Sequence, residues 1–173
     1  MTTGITFAAA IDLTAEFIQE LQDNQLPPEE ITVFVENLVA TTESARGFFV
    51  GYLTSDANEQ VDQQMPAIAQ GLKAHPEIVA DLLVKNLAMS TAQHLHFQRN
   101  GEADMANNSA RVADRSHKLI EILKLPLIKE KCQKLLQSIL TGQGAYLEFL
   151  ERWGYDDEQK SAIRERITSF ALG

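Results

Sequence analysis

From Phe7 to Phe170 the apolar residues of this chain recur at spacings of three and four. No stretch alternates apolar and polar residues as a half-buried strand must. That periodicity confines the fold class to all-α, a compact bundle of about six to eight helices. Phe7, Ala10, Ile11, Thr14, Phe17, Ile18 and Leu21 share one face of a first helix that ends near Asn24. Leu26-Pro27-Pro28 then stops the chain, and Pro28 opens a second helix, where its missing N–H costs nothing and Glu29 and Glu30 complement the positive end of the dipole. Ile31, Phe34, Val35, Leu38, Ala45, Phe49 and Tyr52 keep a common phase, so this second helix is predicted to be long. Gly47 and Gly51 within it suit the close approach of another helix better than a ligand loop.

Further resets follow. Asp56 and Glu59 form an acidic variant of the capping box ahead of Val61, Met65, Ile68 and Leu72, with Pro66 bending or restarting the segment. Pro76 opens a helix that runs to about Arg99, closed by Asn100-Gly101 in the manner of a left-handed cap. From Glu102 to Leu125, Met105, Val112 and Leu119, with Ser109, Ser116 and Leu123, form an inward stripe opposite Arg111, Asp114 and Lys118. Pro126 resets the chain once more, Gly142 and Gly144 loosen the end of the following helix, Gly154 ends another, and Asp156 or Asp157 caps the last. With no internal repeat and no long linker, residues 1–173 are predicted to form a single helical domain.

A chain of this length buries roughly two thirds of the surface its unfolded form exposes, so it needs no metal or disulfide staple. Cys132, the lone cysteine, reads as a small buried hydrophobe. Absence of disulfides, the missing basic start of a secretory signal between Met1 and Ile11, and the lack of any apolar run of about 18 residues together predict a cytoplasmic protein without a membrane span. The glycosylation sequon Asn107-Asn108-Ser109 is then a chance match.

Charge is the most unusual global property. The net charge is −9, and no basic residue precedes Arg46, whereas Asp12, Glu16, Glu20, Asp23, Glu29, Glu30, Glu36 and Glu43 do. Arg111, Arg115, Lys118, Lys124, Lys129, Lys131 and Lys134 crowd a later stretch. An acidic chain repels phosphates, and Asp114, Glu121 and Glu130 interrupt the basic block, so nucleic acid is not an expected partner. The two blocks suit solvated faces or a charged docking surface, and Arg111, Arg115 and Lys118 are the docking candidates.

Phosphate loops, dinucleotide fingerprints, zinc-type cysteine pairs and the nucleophile elbow are all absent, and no cofactor is implied. A carboxylate-bridged metal pair needs Glu-x-x-His on two helices; only Asp114 and His117 approach that spacing, and His94 and His96 fall on different faces, so no metal site is predicted. One polar line remains. Asn86, Ser90 and His94 are spaced four apart on the side of their helix that holds Val79, Leu83 and Leu87, away from Asp81, Lys85, His96 and Arg99. Polar groups there must find hydrogen-bond partners, from Ser109, Ser116 or a buried water, or else line a pocket for a small ligand. No acid is placed to orient His94, so catalysis is not expected and no catalytic residue is assigned. The leading reading is a non-catalytic interaction or regulatory protein whose partner is another protein or a second copy in a homodimer. The alternatives are a small-molecule-binding bundle around His94 and an unidentified enzyme.

Overall fold

A computed structural model describes residues 4–56 and 59–173. Among them there are ten helices and no strand: α1 (Phe7–Gln22), α2 (Pro28–Leu38), α3 (Thr42–Thr54), α4 (Glu59–Gln63), α5 (Met65–Leu72), α6 (Pro76–Arg99), α7 (Ala103–Leu123), α8 (Pro126–Thr141), α9 (Leu147–Trp153) and α10 (Asp157–Leu172). The all-α class agrees with the periodicity. The count exceeds the expected six to eight because short polar caps divide segments whose apolar phase runs on. The long helix expected from Pro28 to Tyr52 is two: Thr41 Oγ1 accepts the Ser44 backbone N–H at 3.2 Å and starts α3 afresh. Pro66 likewise sits in the first turn of α5 and restarts the chain after α4. The start expected at Asp56 involves residues 57 and 58, which lie outside the described residues.

The helices form two compact units, the first Met1–Leu82 with Glu121–Leu123, the second Leu83–Ile120 with Lys124–Gly173. In the first unit, α1 and α3 run side by side in the same direction. The Phe7 N–H donates to Glu43 Oε1 at 3.2 Å, and Gly47 and Gly51 face Ala10 and Thr14 in turn. A Cβ at Gly47 would lie 2.6 Å from both the Ala10 Cβ and the Phe7 carbonyl, so the two glycines are there to let backbones meet. Alongside α2 runs α5, with Thr32 Oγ1 donating to the Ala67 carbonyl at 3.0 Å. Phe17 stacks on Phe34 at 4.2 Å. Phe48 stacks on Tyr52, and all four of Ile31, Val35, Phe48 and Tyr52 are buried.

In the second unit a Schellman turn joins α6 to α7: Gly101 is left-handed (φ +70°), the Glu102 N–H reaches the Phe97 carbonyl at 2.9 Å and the Gly101 N–H reaches that of Gln98 at 3.2 Å. The expected cap at Asn100-Gly101 is therefore present. Ala106, Ser109, Ala113, Ser116, Leu119 and Leu123 of α7 are buried, but Met105, placed inward by its spacing, is 46% exposed. Gly142 and Gly154 end α8 and α9 in left-handed conformation. Between those helices, the buried Ser138 hydroxyl accepts the Tyr146 N–H at 3.0 Å and folds the chain back. Against α8 lies α10, where Gln133 Nε2 donates to the Ala171 carbonyl at 3.0 Å. Cys132, Leu135, Ile163 and Ile167 are buried between elements of this unit.

Candidate functional site

The polar line on α6 is only partly inward. Ser90 is 3% exposed, while Asn86 and His94 are half-buried. Ser90 Oγ donates back along its own helix to the Asn86 carbonyl at 2.6 Å and lies 3.2 Å from that of Leu87. That local bond satisfies the hydroxyl without help from Ser109 or Ser116. Ser116 behaves the same way, donating to the Val112 carbonyl at 2.8 Å. His94 instead reaches a neighbour, its Nδ1 standing 2.8 Å from the Ala106 carbonyl in the second turn of α7. A carbonyl only accepts, so Nδ1 carries the proton, and in the neutral ring the lone pair sits on Nε2. Asn86 and Ser90 thus meet through a backbone carbonyl, and His94 turns to a different one.

The residues with metal-like spacing are otherwise engaged. Asp114 accepts from Arg166 Nη2 at 2.7 Å, and the His117 ring packs on Phe170 at 4.7 Å. His96 Nε2 accepts from the Asn100 amide at 3.2 Å. Among the described residues no group of three or more His, Cys, Asp or Glu side chains could hold a metal ion. Nor is any helix long and apolar enough to cross a membrane.

The docking candidates separate on α7. Lys118 is exposed and Arg111 half-buried, but Arg115 is only 4% exposed, inside the second unit. An apolar face nearly half the circumference of α7 brings Arg115 within the covered arc beside Leu119, so a narrower stripe misplaces it.

A second cluster joins the expected cap at Asp156 to Arg99. Arg99 at the end of α6 donates to Asp156 Oδ2 at 2.7 Å and pairs with Glu158. Asp156 Oδ1 accepts the Gln159 N–H at 2.8 Å while Gln159 Oε1 accepts the Asp156 N–H at 3.0 Å, a reciprocal capping box on α10. Gln159 Nε2 continues to the Ala92 carbonyl at 3.2 Å. The cap expected at Asp156 or Asp157 is therefore at Asp156. Nothing in the spacing linked it to Arg99, 57 residues away.

Charge divides along the same lines as the contacts. The first unit holds fourteen carboxylates against Arg46 and Lys73, a formal charge of −12; the second holds ten against thirteen bases, +3. Asp12, Glu16 and Glu20 lie exposed along successive turns of α1, with Asp23 just past its end and Glu29, Glu30 and Glu36 exposed on α2.

A family model described as Uncharacterised conserved protein UCP020893 matches residues 6–170. The chain belongs to this family. The family match runs from the cap of α1 into the last turns of α10 and so takes in both units. No curated protein and no solved structure matches the chain.

Proposed function

We propose that the protein is a non-catalytic interaction or regulatory protein, and that the acidic helix faces of its first unit dock a cationic partner, either another protein or a second copy of the chain. The observation that carries this reading is the −12 charge gathered on one unit with two bases to offset it. Such a field has a local cost: like charges four apart, as at Asp12, Glu16 and Glu20, each destabilise a helix by roughly 0.2–0.5 kcal/mol. It also raises the local concentration and on-rate of an oppositely charged partner. Ser90 and His94 on α6 are engaged by backbone carbonyls and Asp114 on α7 by an ion pair, which favours docking over catalysis.

The reading is tested with a fluorescent lysine-rich peptide as the cationic probe and with the protein's own sedimentation. Wild type should bind the peptide with an affinity that falls steeply with salt, and Asp12→Asn, Glu16→Gln, Glu20→Gln, Asp23→Asn combined should weaken binding at unchanged fold. Binding that ignores both salt and the quadruple substitution overturns the proposal. Sedimentation at low and moderate salt decides whether the second copy is the partner.

A further inference from the structure

The turn between α6 and α7 carries a chemical liability. Asn100 is followed by Gly101, both exposed, and a glycine on the C-terminal side leaves the asparagine side chain open to attack by the next backbone nitrogen. Nothing lies within 4 Å of the place a Cβ would take at Gly101. We propose that Asn100-Gly101 is a site of spontaneous deamidation whose rate is set by fraying of the α6 terminus, and that conversion loosens the α6–α7 turn.

The step needs no co-reactant beyond water. The Gly101 nitrogen gives up its proton to solvent and attacks Asn100 Cγ; the new N–Cγ bond forms as the Cγ–Nδ2 bond breaks, and nitrogen leaves as ammonia carrying the proton. Water then opens the five-membered imide at either carbonyl, leaving aspartate or, with an extra methylene in the backbone, isoaspartate.

Three contacts hold the reacting atoms apart. The Gly101 N–H is engaged by the Gln98 carbonyl at 3.2 Å. The Asn100 amide is drawn back one turn onto His96 Nε2 at 3.2 Å. Arg99, the residue before it, is tied to Asp156 and Glu158 and so pins the last turn of α6. Attack therefore proceeds from the frayed population, the low-stability end of the helix's local openings. After conversion, a new carboxylate sits at the negative end of the α6 dipole and competes with Asp156 and Glu158 for Arg99. Isoaspartate also lengthens the turn that the Glu102-to-Phe97 bond closes.

The test follows the tryptic peptide that contains Asn100 by mass spectrometry, during incubation of the whole protein over days at physiological temperature and mildly alkaline pH. A mass gain of one amide-to-acid exchange should localise to Asn100 and not to Asn107 or Asn108, which lie inside α7. Arg99→Ala and His96→Ala should each raise the rate several-fold, and Asn100→Gln should abolish it. Converted protein, separated by ion exchange, should melt below the unconverted form. The proposal is overturned if the folded chain shows no gain at Asn100 while a free peptide of the same sequence converts. Unaltered rates in both alanine variants overturn the gating.

Discussion

Arg99 Nη1 donates to Asp156 Oδ2 at 2.7 Å, and the other oxygen of that carboxylate, Oδ1, accepts the Gln159 backbone N–H at 2.8 Å. One side chain thereby caps α10 and fastens its start to the end of α6. Gln159 adds a second tie through Ala92, so the two helices of this unit are joined at two points one turn apart or more.

This arrangement makes a pH prediction. Arg99 first, and the Gln159 N–H second, hold the Asp156 carboxyl below the ordinary carboxylate range. A group depressed in the folded state contributes its stability in full above its unfolded pKa, about 3.9, and loses it as pH falls through the lower folded value. Asparagine keeps the capping oxygen but carries no charge. Melting temperature should therefore drop more steeply below about pH 4 in wild type than in Asp156→Asn. At neutral pH the order of stability should be wild type, Asp156→Asn, Asp156→Ala. Parallel acid profiles for wild type and Asp156→Asn would remove Arg99 from the account.

Gly47→Ala and Gly51→Ala should each destabilise the first unit by about 1–3 kcal/mol, the usual cost of forcing extra atoms into a close-packed contact. At Gly47 the added carbon meets the Phe7 carbonyl, which is backbone and cannot swing aside; at Gly51 it meets Thr14 Cγ2 at 2.9 Å. Gly47→Ala should consequently be the worse of the two in urea unfolding. Two neutral substitutions would mean that α1 and α3 separate freely.

Much of this fold was legible because the chain marks its own breaks. Pro28, Pro76 and Pro126 each begin a helix, and Gly101, Gly142 and Gly154 each leave one in a left-handed turn. Thr41 was read through because Leu38, Ala45 and Phe49 stay in phase across it; a hydroxyl cap of one bond does not disturb an apolar period. Arg115 was misplaced for a related reason. A helix covered over a wide arc buries residues at its flanks, and a count of apolar positions underestimates that arc. On α6 the direction of Ser90 was correctly inward, but what a serine bonds to in a helix is decided locally, by the carbonyl four residues back.

His94→Leu tests whether the α6 line is structural. The substitution removes the donor to the Ala106 carbonyl, which keeps its own helical bond, so the loss should be near 1 kcal/mol. Thermal melts and native mass spectrometry of wild type and variant decide the matter together. A variant as stable as wild type, with a small molecule carried only by wild type, would instead support a ligand site at His94.

Cys132 should be inert in the folded protein. Burial pushes its thiol up to about 12, so at neutral pH almost none is thiolate, and the side chain has no exposed surface. A colourless-to-yellow disulfide reagent should report no thiol under native conditions and one thiol per chain in denaturant. Rapid native labelling would show that α8 opens from α10 on the time scale of the assay.

Lys118→Glu and Arg115→Glu should part company. Lys118 is exposed, and reversing its charge should change stability by no more than about 0.5 kcal/mol while altering any salt-dependent association. Arg115 is buried, so an acid there would set a charge of opposite sign away from water, and an uncompensated buried charge costs roughly 3–5 kcal/mol. Arg115→Met, which keeps length and apolar packing without charge, should fall between them. If Arg115→Glu melts with wild type, its side chain reaches solvent and it stays a docking candidate beside Arg111 and Lys118; if it unfolds while Lys118→Glu does not, the docking candidates on α7 reduce to those two.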